Sequence, residues 1–399
     1  MNGFVVIAII SWIVLVMAFY YPYHHREEAA NRTLWNATVA MLMVKDESPI
    51  IERIVRSLHN HVAKRIFLCD TGSTDDTLER ALAIAAERSG GADLVHWVLP
   101  GGFKHFEQAR NACRRALAAQ AASDIEWVAL PDADFEAVAG AEEWPAYDVN
   151  TIQIRPTHPG QPHNSLHLLV RARTYFDHCR YRLWTHEFLD CSTSNDDDND
   201  LPSYGYYNGF HFLDHADGSS RGEKLERDIK LLRAWLAQVN ETELRPRALY
   251  YLARAYEDNG QIGLALNTYH RHNAVQNHTN YQWLAHYRMA LIELGKWNVR
   301  CEANVSECGG DSLKLVENAM LAAFRTYDGY FRREPLYQLA KLHRQLGHYH
   351  ECLLYAGSAL HLPVIDHSRI PLMIEAPMNG PLLLEEEHAF CVEQLKPVL

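Results

Sequence analysis

The chain has 399 residues, of which 48% are hydrophobic, and a formal net charge of -12. This length allows two or three domains, and the hydrophobic content supports a sizeable core. Because the net charge is negative, the acidic residues are spread through the chain and nucleic-acid binding needs a concentrated basic face, the composition argues against nucleic acid as a partner.

A near-continuous apolar run covers residues 3–21, and Ser11 is its only polar interruption. In helical form it is about long enough to span a bilayer. No basic segment precedes it and no clear small-residue cleavage site follows it. The pattern therefore favours a transmembrane signal anchor over residues 1–22, rather than a cleaved signal peptide, followed by a stem over residues 23–37.

Five glycosylation sequons lie beyond this run, at Asn31, Asn36, Asn240, Asn277 and Asn304. Such sequons are used on the lumenal side of the secretory pathway. They therefore predict a single-pass type II membrane protein of the secretory pathway with its C-terminal body in the lumen, and the Golgi is the expected compartment.

The chain contains eight cysteines, and disulfides are permitted in that compartment. Cys301 and Cys308 bracket a short loop and are the best candidate pair. Cys69 lies within an apolar strand pattern, which predicts a buried free thiol.

Strand and helix patterns alternate from residue 37 to residue 217. Ser48 and Pro49 predict the start of the first helix, and Ser73 with Asp76 has capping-box spacing for the second. Strands that alternate with helices predict a parallel α/β sheet, which binds ligands at the carboxyl ends of its strands. The predicted strands cover residues 38–44, 65–69, 94–99 and 126–130, and a third helix covers residues 106–121.

Two aspartates, Asp132 and Asp134, come directly after the fourth predicted strand, and Asp70 ends the second. A closely spaced carboxylate pair at a strand end can hold a divalent cation that also binds a diphosphate. The alternative is a turn in which aspartate has only a structural role.

Only helical patterns follow from about Leu225 onward. Small residues and a closing glycine recur at Gly260, Gly295 and Gly347, and the first two glycines are 35 residues apart. A period of about 34 residues is typical of tetratricopeptide repeats. An insertion around residues 301–311 accounts for the longer second interval. The aromatic residues of these helices are predicted to be repeat core rather than a ligand platform: Tyr250, Tyr251, Tyr256 and Tyr287.

Six segments in this order resemble a family 2 glycosyltransferase of the branch that carries tetratricopeptide repeats: Met43–Glu47, Asp70–Asp75, Ala109–Asn111, Trp127–Asp134, Trp184–Glu187 and His215–Asp228. The resemblance implies a GT-A domain, with a Rossmann-like nucleotide-sugar-binding sheet, over residues 38–224. An all-α repeat domain over residues 225–399 follows it. The chain departs from the family at Asp46, where asparagine is usual, and at Phe135, where glutamate often follows the second aspartate and Glu136 stands one place later.

The resemblance also implies a metal site for Mn²⁺ or Mg²⁺. Asp134 is the expected direct ligand, and Asp132 binds the metal, its water or the ribose. His215 is the candidate third ligand, with His211 as its competitor.

The remaining site residues are assigned in the same way. Glu187 is the candidate general base, or else it orients the acceptor. Asp70 is expected to bind the base or ribose of the nucleotide, and Glu47 is expected to line the same pocket. Arg110 is expected to bind phosphate or to support Asp132. A loop places two cations, Arg221 and Lys224, over the diphosphate, unless they only begin a solvated helix.

The implied function is metal-dependent, inverting transfer of a sugar from a nucleotide-diphosphate sugar, with a UDP-sugar favoured. The acceptor is a glycan, a protein or peptide, or a lipid. The alternative is a non-catalytic, transferase-like scaffold that binds partner proteins through its repeats. In a third interpretation, which is compatible with catalysis, the repeats bind the acceptor.

Overall fold

The computed structural model describes residues 35–87, 93–120, 124–140, 151–156, 164–166, 168–191, 206–219, 224–275, 280–304, 306, 308–326, 332–362 and 380–396. The predicted anchor lies outside these ranges. Within them, no helix combines the length and the apolar character that a membrane crossing requires. The chain divides into two compact units. The first comprises residues 1–157, 163–182 and 187–222, and the second comprises residues 158–162, 183–186 and 223–399.

The first unit is built on a five-stranded sheet with the order β3-β2-β1-β4-β8. Neighbouring strands among β1 to β4 pair in parallel, and β8 pairs antiparallel to β4. The predicted parallel α/β sheet is therefore confirmed. The strands of the unit are β1 (Thr38–Val44), β2 (Arg65–Asp70), β3 (Asp93–Val98), β4 (Trp127–Ala129), β5 (Phe135–Ala139), β6 (Thr151–Pro156), β7 (Asn164–Leu166), β8 (Leu169–Arg171), β9 (Arg180–Arg182), β10 (Phe188–Asp190) and β11 (Tyr206–Asp214). Its helices are α1 (Ile51–His61), α2 (Thr77–Ala86), α3 (Phe106–Gln120) and α4 (Ala172–Asp177).

Both predicted helix starts were wrong in detail. Helix α1 begins at Ile51 and not at Pro49, because the amides of Ile50 and Ile51 both donate to the carbonyl of Glu47 and close a turn first. Helix α2 begins at Thr77, so Ser73 lies too far upstream to cap it. The hydroxyl of Ser73 instead accepts a hydrogen bond from the amide of Asp46, at 3.0 Å.

A second sheet extends the first unit beyond β4, with the order β5-β11-β6-β7. The chain leaves β4, turns through residues 131–134 and enters β5. Strand β11 returns antiparallel to β5, with Asp214 opposite Phe135. This register brings the segment after β11 next to the two aspartates, and the His215 amide donates to the Asp134 carbonyl at 3.2 Å.

Four disulfides pair all eight cysteines: Cys69 with Cys113, Cys179 with Cys191, Cys301 with Cys308, and Cys352 with Cys391. The predicted pair Cys301–Cys308 is confirmed. The prediction of a free thiol at Cys69 was wrong. Its side chain is fully buried, as expected for an apolar strand, but it points at Cys113 on α3.

The second unit is helical in its described residues. Its helices are α5 (Lys224–Gln238), α6 (Arg245–Asp258), α7 (Ile262–Ala274), α8 (Asn280–Ala303), α9 (Gly310–Phe324), α10 (Glu334–Gln345), α11 (Tyr349–Leu360) and α12 (Gly380–Gln394). The turns between α6 and α7 and between α10 and α11 contain Gly260 and Gly347, at φ values of 72° and 74°. Glycine suits this left-handed backbone, and here the repeat prediction holds.

The prediction of a turn at Gly295 was wrong. Helix α8 is 24 residues long and continues through position 295. The chain reverses later, between Ala303 and Gly310, where the Cys301–Cys308 disulfide closes the turn.

The aromatic core of this unit agrees with the prediction for three of four tyrosines. Tyr250, Tyr256 and Tyr287 are buried, whereas Tyr251 is only partly buried. Trp283 packs on Tyr287 with ring centroids 5.1 Å apart.

Candidate active site

Two neighbouring turns at the carboxyl end of the sheet are joined by hydrogen bonds. Asp46 has a left-handed backbone, with φ of 53°, a region in which aspartate and asparagine are enriched. Its carboxylate accepts a 2.6 Å bond from the amide of Thr74. The next amide, that of Glu47, donates to the Thr77 hydroxyl at 2.7 Å. These bonds place Glu47 at the edge of the sheet, next to the end of β2.

Asp70 is the last residue of β2 and is 5% exposed. Its Oδ1 accepts hydrogen bonds from the amides of Gly72 and Ser73, at 2.9 and 2.7 Å. Gly72 has φ of 116°, a conformation that glycine adopts without strain. One oxygen of Asp70 therefore shapes its own turn, and the predicted contact of Asp70 with a nucleotide stays a prediction.

Arg110 on α3 brings two predicted site residues together. Its Nε donates to Glu187 Oε1 and its Nη2 donates to Asp132 Oδ1, both at 2.6 Å. The side chains of Arg110 and Glu187 are each 12% exposed, whereas that of Asp132 is 47% exposed. Burial acts to lower the pKa of Arg110, but the two carboxylates hold it well above its usual range. Arg110 is thus a permanent cation that holds the first aspartate of the pair next to the candidate base.

The residue after Arg110 explains how the helix is fixed at this point. The Asn111 side chain donates to the Tyr181 carbonyl and accepts from the Tyr181 amide, at 2.8 and 2.9 Å. The Tyr181 ring in turn lies 5.4 Å from the Arg110 guanidinium carbon. Asn111 therefore sets the register between α3 and β9, the strand that leads towards Glu187.

Asp134 is 8% exposed and lies beneath the segment that follows β11. A Cβ added at Gly218 would come within 3.3 Å of Asp134 Oδ2, so only glycine allows this approach without a shift. Contacts on either side of Gly218 also hold the same segment. Asp217 pairs with Arg53 at 2.6 Å, and the Ser219 amide and hydroxyl both contact the Glu47 carboxylate at 3.0 Å.

The carboxylates around this segment affect one another. Burial raises the pKa of Glu47, and the nearby charges of Asp134 and Asp217 raise it further, while the bonds from Ser219 oppose the shift. The Arg53 guanidinium, paired with Asp217, also donates to the Asp134 carbonyl at 3.4 Å. The site therefore has an excess of acidic oxygens, which are the ligands that Mg²⁺ and Mn²⁺ prefer.

The three predicted metal ligands are not gathered into one cluster in this arrangement. His215 Nε2 lies 2.8 Å from Glu136 Oε2, and Asp132 is bound to Arg110. Over the described residues, no group of three or more His, Cys, Asp or Glu side chains is placed to hold a metal ion. The oxygen donors of Asp132 and Asp134 suit a hard divalent cation, but His215 has to leave Glu136 to join them.

His211, the competing ligand, lies opposite Val138 within β11. At about 3.3 Å per residue, it is roughly 13 Å along the chain from His215. The assignment of either histidine as the third ligand stays a prediction. Arg221 lies outside the described residues, and Lys224 is the exposed first residue of α5, in the second unit.

The contacts of Glu136, Asp217 and Ser219 were not foreseen. Glu136 differs from the family pattern only by its offset of one residue, and that offset was the available signal. Strand β5 starts at Phe135, which is buried against Phe212, so Glu136 points the other way, towards His215.

No protein-family model and no curated protein sequence matches the chain. Among solved structures, it is similar to S. aureus TarS 1–349 in complex with UDP-GlcNAc, at 14% identity over 63% of this chain and 87% of that chain, with a TM-score of 0.33. It is also similar to MamA 41-end from Desulfovibrio magneticus RS-1, at 16% identity over 44% of this chain and 82% of that chain, with a TM-score of 0.27. These scores are low, and the function proposed below rests on the residues of this chain.

Proposed function

We propose that this chain is a metal-dependent, inverting glycosyltransferase that uses a nucleotide-diphosphate sugar, with a UDP-sugar favoured. One observation carries the proposal. Arg110 binds Glu187 and Asp132 at 2.6 Å each, at the carboxyl end of a parallel sheet. One buried cation thereby holds a carboxylate that can take the acceptor proton close to a carboxylate of the donor side, and such positioning of catalytic groups lowers the barrier of a transfer reaction.

The donor side is formed by Asp132, Asp134 and Glu47. Asp132 and Asp134, with His215 as third ligand, would hold a Mn²⁺ or Mg²⁺ ion, which would supply positive charge opposite the leaving diphosphate. Glu47 lies against the segment that covers Asp134, so it is placed to line the same pocket. Arg221 and Lys224 are proposed to contact the diphosphate, and Asp70 the nucleoside.

The acceptor side is formed by Glu187. The acceptor hydroxyl attacks the anomeric carbon, the bond from that carbon to the diphosphate breaks, and Glu187 takes the hydroxyl proton. A single displacement inverts the anomeric configuration. Arg110 fixes Glu187 during this step and does not itself exchange a proton, because its pKa is far above neutral.

We further propose that the protein is a type II membrane protein with a lumenal catalytic domain in the Golgi. Four disulfides support an oxidising compartment. The asparagines of the three sequons in the described residues are also exposed, as glycosylation requires: Asn36, Asn240 and Asn304.

Hydrolysis of a panel of UDP- and GDP-sugars by the full-length chain tests the proposal, since water can replace the acceptor. Turnover of one donor is expected in the presence of Mn²⁺. Glu187→Gln should lower it by about 10²-fold or more, the usual contribution of a general base. The exposed Glu79→Gln on α2 is the matched control and should leave the rate unchanged. No turnover of any donor would favour the scaffold interpretation, and full activity of Glu187→Gln would remove the proposed base.

A further inference from the structure

The loop that ends at Glu187 has an unusual backbone. Residues 183–187 connect β9 to β10, and Arg182 pairs with Phe188 at the base of this hairpin. Leu183 has φ of 82° and His186 has φ of 51°. A left-handed backbone is uncommon for a histidine and a genuine outlier for a leucine. Such residues persist only where the surrounding structure over-determines them, and they cluster at functional sites.

Asp228 on α5 supplies part of this restraint. Its Oδ1 accepts a 2.8 Å bond from the Thr185 hydroxyl, and its Oδ2 lies 3.4 Å from His186 Nε2. The Asp228 side chain is 2% exposed. Burial acts to raise its pKa, but the contacts with His186 and Thr185 keep the pKa below its usual value. A buried carboxylate is retained only where it is paired. Its partners here are two consecutive residues of the strained loop and, at 3.8 Å, the Nε of Arg227.

Helix α6 supplies the rest of the restraint. Arg247 donates to the His186 carbonyl through Nη2 at 2.9 Å and Nε at 3.3 Å. The His186 ring stacks on Tyr251, with centroids 4.0 Å apart and planes 7° apart. The Arg247 guanidinium also lies over the Tyr251 ring and donates to the Tyr281 hydroxyl. Both the ring and the backbone carbonyl of His186 are therefore held in place.

Residues 183–186 belong to the second unit, and the chain returns to the first unit at Glu187. The peptide bond between His186 and Glu187 thus joins a fixed residue to the candidate base. We propose that Asp228 and Arg247 are positioning residues that set the placement of Glu187 by holding Thr185 and His186. This inference rests on the proposed function.

Asp228→Asn and Arg247→Lys in the full-length chain test it. Asparagine keeps the size of the side chain but loses the charge that faces His186, and lysine cannot make both bonds to the His186 carbonyl. Because a displacement of about 1 Å costs on the order of 10²-fold in rate, kcat for donor hydrolysis should fall by about 10- to 100-fold. The donor KM should stay unchanged. Arg254→Gln, on the same helix, is the control and should leave kcat unchanged.

A double variant separates positioning from general damage to the fold. If Asp228 acts only through Glu187, then Glu187→Gln with Asp228→Asn should be no slower than Glu187→Gln alone. A further loss in the double variant, or an unchanged kcat in both single variants, would overturn the proposal. If Asp228→Asn does not fold, Arg247→Lys carries the same comparison.

Hydrogen exchange at the amides of residues 183–187 makes the outcomes distinguishable. Exchange should become faster in Asp228→Asn and in Arg247→Lys, whether or not a donor is turned over. Faster exchange without any wild-type turnover would refute the proposed function while the restraint on the loop stands. Unchanged exchange would refute the restraint itself.

Discussion

Arg110→Gln should destabilise the first unit as well as reduce its activity. The substitution removes the cation that pairs with both Asp132 and Glu187, and the Glu187 side chain is 12% exposed. Breaking a buried pair costs about 3–5 kcal/mol, and the lower value applies because some water reaches this pair. The half-exposed Asp132 adds at most about 1 kcal/mol. The free energy of unfolding should therefore fall by about 3–4 kcal/mol.

For a unit of this size, about 2–4 °C of Tm corresponds to each kcal/mol, so Tm should fall by roughly 6–16 °C. Differential scanning calorimetry without ligand measures it. Arg56 is a close control, because it also binds two carboxylates, Glu52 and Glu87, at 2.7 Å each, but all three side chains are exposed. Its variant Arg56→Gln should change Tm far less. Equal, small shifts for the two variants would show that the bridge made by Arg110 is not the buried interaction described above.

Three further outcomes follow from other parts of the chain. Burial lowers the pKa of His272 and of His286, whose pKa the neighbouring His272 and His270 lower further. The unfolded chain therefore takes up protons first as pH falls below about 6.5, and stability that is present above that pH is lost as pH falls through the folded-state values. Tm of the wild type should drop between pH 7 and pH 5. The drop should be smaller in His272→Gln, whereas the exposed His350→Gln should show the same drop as the wild type; equal drops in all three proteins would contradict this. The buried pair Cys69–Cys113 closes a separation of 44 residues, so replacing both cysteines by alanine should lower stability by about 4 kcal/mol; free thiols at both positions on peptide mapping would refute the pairing. In protein expressed through the secretory pathway, Asn240→Gln should remove one glycan that a glycosidase releases from the wild type. An unchanged electrophoretic mobility would show that this exposed sequon is not used.

The parts of the fold that follow from local apolar pattern were predicted well. Strand β1 has the predicted bounds of Thr38 and Val44. Its apolar residues are continuous up to the polar turn that follows, so the sequence marks the end of the strand clearly. The end of α3 was missed by one residue, at Gln120 instead of residue 121. In contrast, the start of α1 depended on which amides reach the Glu47 carbonyl, and a cap signature in the sequence does not report that competition.

Features that depend on tertiary contact were not predictable from one sequence. The partner of Cys69 is 44 residues away, and nothing in the spacing favours it over a free thiol. Gly295 has the position of a repeat-closing glycine, but the neighbouring residues continue the helix as far as Ala303. The turn comes only after this helix, where the Cys301–Cys308 disulfide lies. At the site, the residues were proposed from their order in the chain. The bonds that Arg110 makes to Glu187 and Asp132, and those of His215 to Glu136, required the packing of α3, β9 and β5.

The most direct test of the central claim is the thermal stability of the full-length protein with UDP, GDP and other nucleotide diphosphates, each with and without Mn²⁺. A ligand that binds only the folded state raises stability by about 2.7 kcal/mol at 100 times its Kd. The account predicts that one nucleotide raises Tm only when Mn²⁺ is present, and that Asp134→Ala abolishes the rise. A rise that needs no metal and persists in Asp134→Ala, or no rise with any nucleotide, would contradict it.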